Sequence, residues 1–397
     1  MSAFRRVAEF LSGAAQPANM PRPGKVLFIQ LAEGGSMILA APAIQLALQR
    51  GVEVWFVTFQ ENAPALALTG LIPPERVFIV RHERSGRMAV DVVRLLRWLR
   101  RQRFDAVVDL ELFARLTAAL SFVSGAARRI GFAADRVVYR GRLMTHGVAF
   151  APGRHMSRNY LQLVRALFDG TAAIDFSQDQ ALPRLQKIRP DAAANRQVAE
   201  LLATCGQVAD TRLVLVNANA SDRLVQRRWP LDRFARLIEQ VLAIRPDVSV
   251  LLIGGASDLA TNQALLRAVG HYAGRRCFDI AGQLPIEGLP ALFARSAVLV
   301  SNDSGPAHFA AVSEIPVVVL FGPETPVLFA PLGAARIISA NLPCSPCVSV
   351  YNQRRSACQN NLCMQQIGVA RVLDATLQTL SATSPNPLRP LARTTSE

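Results

Sequence analysis

Ala297-Val298-Leu299-Val300-Ser301-Asn302-Asp303-Ser304-Gly305-Pro306-Ala307-His308 decides how this chain folds. Its first four residues are an uninterrupted apolar run, which reads as a strand buried on both faces. A polar turn follows, in which Asp303 or Ser304 can serve as N-cap and Gly305 permits a tight bend. Pro306 suits the first position of a helix. A second apolar run at 315–321 closes the unit. Strand, polar turn, short helix, strand is a parallel α/β unit, and such units bind ligands at the carboxyl edge of the sheet. A helix begun this way turns free N–H groups and its positive dipole end towards that edge, where phosphates bind. The segment alone predicts a nucleotide or phosphate site.

The 397 residues exceed one ordinary core, so two α/β domains are expected. A 51% hydrophobic share speaks for well-filled cores and against disorder. No apolar run reaches the roughly 18 residues of a spanning helix, and no secretory signal pattern opens the chain, so a cytoplasmic location is expected. Basic residues number 44 against 29 acidic, a net charge of +15. Only Lys25 and Lys187 are lysines; the other basic residues are arginines. That balance points to an anionic partner: a membrane surface, a nucleic acid or a phosphorylated glycolipid. Nucleic acid fits worst, because zinc-finger histidine pairs and an aromatic RNA-binding strand are missing and aromatics make up only 7%.

Residues 1–24 read as an appendage, a short amphipathic helix at 4–11 followed by a Pro/Gly-rich stretch. A first domain at 25–190 has strands at 26–29, 52–59, 77–80 and 106–110, with helices at 36–49 and 90–101. A second at 191–338 has strands at 213–216, 248–253, 277–279, 297–300 and 317–321. Helices are expected there at 193–205, 230–243, 259–269, 289–295 and 306–312. A cysteine-rich segment and a helix occupy 339–380, and 381–397 is a loose tail.

Two further motifs accompany the first. Asn217-Ala218-Asn219-Ala220-Ser221-Asp222-Arg223-Leu224-Val225-Gln226-Arg227-Arg228-Trp229-Pro230 is a strand that empties into an arginine-rich loop before a helix. Leu252-Ile253-Gly254-Gly255-Ala256-Ser257-Asp258 is a strand ending in a glycine turn. Together with Phe321-Gly322-Pro323-Glu324-Thr325-Pro326 and Pro331-Leu332-Gly333, these motifs resemble glycosyltransferase family 9, the heptosyltransferase-like enzymes of lipopolysaccharide assembly. The resemblance covers roughly residues 25–380. It implies a GT-B architecture: two Rossmann-like domains with parallel sheets facing across a cleft, the donor on the C-terminal domain and the acceptor on the N-terminal one.

Position by position, Asp303, Ser304, Gly305 and His308 match the family's donor-binding Asp-Ser/Thr-Gly-x-x-His. Asn219, Ser221 and Gly254 join that donor-binding set from the two other loops. Arg227 matches a basic position, usually Lys, before the family's Trp-Pro, suited to the charge of a departing diphosphate. Other readings stand beside these: helix capping for Asp303 and Ser304, a packed histidine for His308, a solvated charge for Arg227, and packing for Trp229. Glu324 occupies a position where Thr is usual, which bears on donor preference. In the N-terminal loop Leu31-Ala32-Glu33-Gly34-Gly35-Ser36, Ser36 stands where the family has the aspartate that deprotonates the acceptor. A serine hydroxyl has no useful basicity near neutral pH. Glu33, three residues earlier, is the candidate general base; its alternative role is to cap the next helix.

Cys344, Cys347, Cys358 and Cys363 lie within twenty residues of one another. Three readings apply: a structural zinc or iron site with four sulfur ligands, free or redox-labile thiols, or disulfides. Cys205 and Cys277 read as core packing. No cofactor is expected for catalysis. The resemblance implies an inverting transfer of sugar, ADP-heptose being the expected nucleotide-diphosphate donor, to an anionic glycolipid acceptor, with peripheral contact at the inner face of the cytoplasmic membrane. Arg94, Arg97, Arg100, Arg101 and Arg103 are candidate membrane contacts. The alternatives are a non-catalytic sugar-nucleotide-binding subunit and a protein-glycosylating heptosyltransferase.

Overall fold

A computed structural model describes residues 21–81, 85–133, 140, 143–169, 185–206, 211–352 and 354–383. The helix expected at 4–11 and most of the 381–397 tail lie outside them. The chain divides into two compact units, Met1–Gln186 and Lys187–Glu397.

The first unit is built on β1 (Lys25–Ile29), β2 (Glu53–Phe59), β3 (Val77–Val80), β4 (Ala106–Asp109), β5 (Arg128–Ala133) and β6 (His146–Ala149). They form one sheet in the order β3-β2-β1-β4-β5-β6, every pair parallel. Its principal helices are α1 (Gly34–Gln49), α2 (Ser85–Gln102), α3 (Arg115–Val123) and α4 (Met156–Asp169). Because β1 is covered on both sides, Val26, Leu27, Phe28 and Ile29 are all fully buried.

The second unit repeats the plan with β7 (Arg212–Asn217), β8 (Val248–Leu252), β9 (Cys277–Asp279), β10 (Ser296–Asn302), β11 (Val317–Phe321) and β12 (Ala335–Ser339). The order is β12-β11-β10-β7-β8-β9, again parallel throughout. Its principal helices are α5 (Ala192–Thr204), α6 (Leu231–Ile244), α7 (Leu259–Ala268), α8 (Leu289–Ala294), α9 (Gly305–Phe309) and α10 (Val369–Ala382). Both sheets are Rossmann-like. In each, the strand order reverses beside the first strand: between β1 and β4, and between β7 and β10. At that reversal the following loops diverge to opposite faces and leave a crevice at the carboxyl edge.

The core of the second unit joins Val216, Val300 and Leu320 from the sheet to Phe234 and Ile238 of α6 and Val372 and Leu380 of α10. Trp229 pins the arginine-rich loop to this core. Its ring is 2% exposed and meets Phe234 edge-on at 4.9 Å, and its Nε1 donates to the Ile367 carbonyl at 3.0 Å. Trp229 is therefore a packing residue. Trp229→Ala should lower unfolding stability by about 3–5 kcal/mol, with Trp229→Phe intermediate. Urea titration checks this, and a loss below about 1 kcal/mol would contradict the burial argument.

Candidate functional site

In the second unit, the loops after β7 and β10 meet at the reversal of strand order and are stitched by buried amides. Asn217 Nδ2 donates to Ser304 Oγ at 2.7 Å, Ser301 Oγ at 3.1 Å and the Asn219 carbonyl at 3.3 Å. Asn302 Nδ2 donates to the Ala218 carbonyl at 2.9 Å, and its Oδ1 accepts the Trp229 N–H at 3.1 Å. Ser304 makes no side-chain cap for α9; its hydroxyl belongs to this network, so the capping reading of Ser304 fails.

The network positions three ionisable side chains. Arg227 ends a 3₁₀ stretch (Asp222–Arg227), and one of its terminal guanidinium nitrogens lies 3.6 Å from Asp303 Oδ2. His308 Nε2 lies 3.9 Å from Asp303 Oδ1. All three are buried, so Arg227 is not a solvated surface charge. Arg227 Nε is buried with no hydrogen-bond partner among the described residues. A buried guanidinium N–H without an acceptor is costly, and an incoming anion would satisfy it.

Of the other expected donor-site residues, Asn219 is buried with its Nδ2 directed at Asn262 Oδ1, 3.2 Å away. Ser221 is exposed and accepts the Arg223 N–H at 3.3 Å, so it caps the 3₁₀ stretch at the rim of the loop. Gly254 follows β8, where a Cβ would stand 2.8 Å from the Asp258 side chain. Asp258 is held there because its carboxylate accepts the Gly255 N–H at 2.8 Å. Arg228 is structural: it donates to the Ala220 carbonyl and to Asp222.

Glu324 lies next to this group, 1% exposed, and its carboxylate accepts Nε and a terminal nitrogen of Arg354, each at 3.0 Å. Burial pushes its carboxyl up to about 7; Arg354 opposes that shift and Asp303 reinforces it. Sequence reasoning did not find Arg354, which comes from the cysteine-rich segment and lies 4.6 Å over the Phe329 ring. That segment braces the site loops on two sides. Cys347 and Val348 donate backbone N–H groups to the Pro323 carbonyl at 3.0 and 2.9 Å, while Asn361 Nδ2 donates to the Gln226 and Arg228 carbonyls at 3.2 and 2.9 Å.

The cysteines correct an expectation. Cys344 and Cys347 are exposed, Cys358 is half-buried, Cys363 is buried, and all are free thiols. No group of three or more His, Cys, Asp or Glu among the described residues is arranged to hold a metal ion. Sequence proximity did not become a tetrahedral set. Burial pushes the Cys363 thiol up to about 11, reinforced by Cys347, Cys358 and Cys344. The Cys358 thiol donates instead to the Asn360 carbonyl at 2.9 Å.

In the first unit, the loops after β1 and β4 meet at the corresponding reversal. Glu33 has φ 56°, ψ 112°, a left-handed conformation uncommon for a residue with a side chain, and makes no side-chain cap for α1. The strained turn is fixed from below by Glu111, which sequence reasoning missed. Glu111 Oε1 accepts the N–H groups of Leu31 and Ala32, both at 2.7 Å. Asp109, fully buried, accepts the Glu111 N–H at 3.0 Å and a terminal nitrogen of Arg140 at 2.7 Å. Burial drives the Glu111 carboxyl up to about 7 against its two amide donors; Asp109 and Glu33 push the same way. The loop is thus a small carboxylate cluster at the carboxyl edge, in which burial first, and mutual repulsion second, brings Glu111 to hold a proton near neutral pH. Its position directly after the strand at 106–110 was the available sequence signal.

A family model described as "Glycosyltransferase family 9 (heptosyltransferase)" matches residues 92–357. Lipopolysaccharide heptosyltransferase 2 of Salmonella typhimurium is 34% identical over 113 residues, 28% of this chain and 32% of that protein. The chain thus spans about a third of the length of the curated relatives it matches. The glycosyltransferase family 9 structure from Veillonella parvula covers 93% of this chain and 100% of its own, with TM-score 0.73 and 17% identity. The ADP-heptose lipopolysaccharide heptosyltransferase II of E. coli covers 90% and 98%, with TM-score 0.68 and 20% identity. These two likenesses are of fold.

The Glu111 carboxyl holds its proton more tightly in the folded protein than at the ordinary value of 4.5. Its stabilising contribution is therefore complete below 4.5 and is lost as pH rises through 7. Glu111→Gln keeps an acceptor for both amides and removes the titration. Relative to the parent, this variant should gain stability between pH 5 and pH 8, by at most about 3 kcal/mol. Denaturant midpoints at the two pH values measure it; an equal difference at both would show that Glu111 titrates normally.

Proposed function

Because the chain belongs to glycosyltransferase family 9, we propose that it transfers a sugar from a nucleotide-diphosphate donor, ADP-heptose, to a hydroxyl of an anionic, lipopolysaccharide-type glycolipid, with inversion at the anomeric carbon. The observation that carries this reading is the buried Arg227–Asp303–His308 group at the strand reversal of the second sheet, with Arg227 Nε lacking an acceptor among the described residues. Arg227 donates to the diphosphate. Asp303 accepts donor hydroxyls, and Ser304, Gly305 and His308 line the same edge. Asn219, Ser221 and Gly254 shape the adjoining loops.

The acceptor hydroxyl attacks the anomeric carbon as its proton passes to Glu33. The new oxygen–carbon bond forms while the bond to the diphosphate oxygen breaks, and the nucleoside diphosphate leaves with the electron pair. A leaving group of this charge is stabilised by a fixed cation at a water-poor site. The strained Glu33 turn, anchored through Glu111, supports the assignment of the base, since strain of this kind collects where geometry serves a reaction. The proposed contact with the inner face of the membrane is peripheral; no helix among the described residues is long and apolar enough to cross a membrane.

Two variants separate donor binding from chemistry. Arg227→Ala should weaken ADP binding by about 10- to 100-fold in calorimetry, with Arg227→Lys recovering part of it. Unchanged affinity would remove the guanidinium from the donor site. Glu33→Gln should lower turnover by at least about 100-fold at unchanged ADP affinity. Full turnover in this variant rules out Glu33 as base. Donor binding with no transfer by the parent protein would instead favour the non-catalytic subunit.

A further inference from the structure

We propose that the outward face of α2 and α3 docks on an anionic phospholipid bilayer, which deepens, and rests on, the reading that the acceptor is lipid-linked. On α2, Val90, Val93, Arg94, Arg97, Arg100 and Arg101 fall within an arc of about 120° at 100° per residue, opposite the buried Leu95 and Leu99. Val90 and Val93 are 49% and 47% exposed. On α3, Leu116 and Phe122 are 55% and 53% exposed. The two helices are tied at their C-terminal ends, where Arg100 Nε donates to the Val123 carbonyl at 2.5 Å. The Arg129 guanidinium lies 5.5 Å over the Phe122 ring.

Charge decides the occupant. The single carboxylate in the sequence of α2, Asp91, is buried and held by Arg81 at 2.9 Å, and the sequence of α3 has none. Within these two helices the described exposed side chains are therefore apolar groups among cations, with no exposed carboxylate. A zwitterionic or apolar partner leaves those arginines unmatched. Nucleic acid would match them but leave the valines and leucine in water. An interface of anionic headgroups above acyl chains takes both components, as interfacial helices do. The placement also serves the reaction: α3 begins four residues after Glu111, so a bilayer against it holds a membrane-borne acceptor beside the loop that carries Glu33.

The test is co-sedimentation of the full chain with vesicles of equal phosphatidylglycerol and phosphatidylcholine, and with phosphatidylcholine alone. Binding should be confined to the anionic vesicles and fall in high salt. A Val93→Asp/Phe122→Asp variant and an Arg97→Glu/Arg101→Glu variant should each partition at least about tenfold less. Both should keep the parent's melting temperature and ADP affinity. Equal binding to both vesicle types, no binding to either, or undiminished binding by both variants overturns the proposal. So does light scattering that shows a parent dimer broken by the same substitutions, which would assign the face to a second copy of the chain. Calorimetry with ADP on the parent keeps the two readings apart: intact ADP affinity without vesicle binding sinks the docking alone, whereas absent ADP affinity sinks the donor reading.

Discussion

Everything in this protein follows from the reversal of strand order beside β1 and beside β7. A parallel sheet covered on both faces has no solvent of its own, so its strands must be apolar and its polar groups must collect at the edges. At the reversal, neighbouring loops part and expose the strand ends. Buried polar atoms there survive only by satisfying one another, and Asn217, Ser301, Asn302 and Ser304 do so across the β7–β10 junction. That mutual satisfaction makes the loop ends rigid, and rigidity is what lets a nearby arginine and aspartate hold fixed places.

The two units solve the problem of a buried carboxylate differently. Glu324 has a guanidinium partner supplied by a distant segment, and its carboxyl is still driven to about 7 because burial outweighs one opposite charge. Glu111 has two amide donors and two carboxylate neighbours, and reaches a similar value. Each is poised near neutrality, but the consequences differ. At Glu324 the proton decides whether Arg354, and with it the brace across 344–361, stays charge-paired. At Glu111 it decides how much negative charge surrounds Glu33.

How much of this was legible in the sequence depends on where each element finds its partners. The central strands announce themselves because burial on both faces leaves them continuously apolar. The edge strands β3 and β9 were expected, but β5, β6 and β12 were not: β5 begins Arg128-Arg129 and contains Gly131, and β12 exposes Arg336 and Ile337. The buried Arg128 guanidinium is satisfied by the Leu167 carbonyl at 3.1 Å and the Pro21 carbonyl at 2.8 Å, 39 and 107 residues away. Helices α3 and α4 also escaped the reading, although Gly125 with φ 75° closes α3. The cluster at Asp303 was readable because its chemistry is local. Arg354 and Glu111 were not singled out, since each acquires its role from a residue 30 or about 80 positions away. The four cysteines do come near one another, since Cys347, Cys358 and Cys344 all raise the Cys363 thiol, yet no three of them are arranged to hold a metal.

Arginine in place of lysine at position 227 is consistent with that division between local and distant partners. A lysine ammonium is a compact, strongly hydrated charge that loses its proton readily when buried, whereas guanidinium stays charged and spreads its donors over a plane. At 7% exposure, Arg227 can offer one terminal nitrogen towards Asp303 and still keep Nε for another acceptor. A lysine at the same depth would have to choose between the aspartate and the anion, or surrender its charge. In the proposed donor site, the buried aspartate would do two things at once: keep the cation in place before a ligand arrives and, at 3.6 Å, share it when one does.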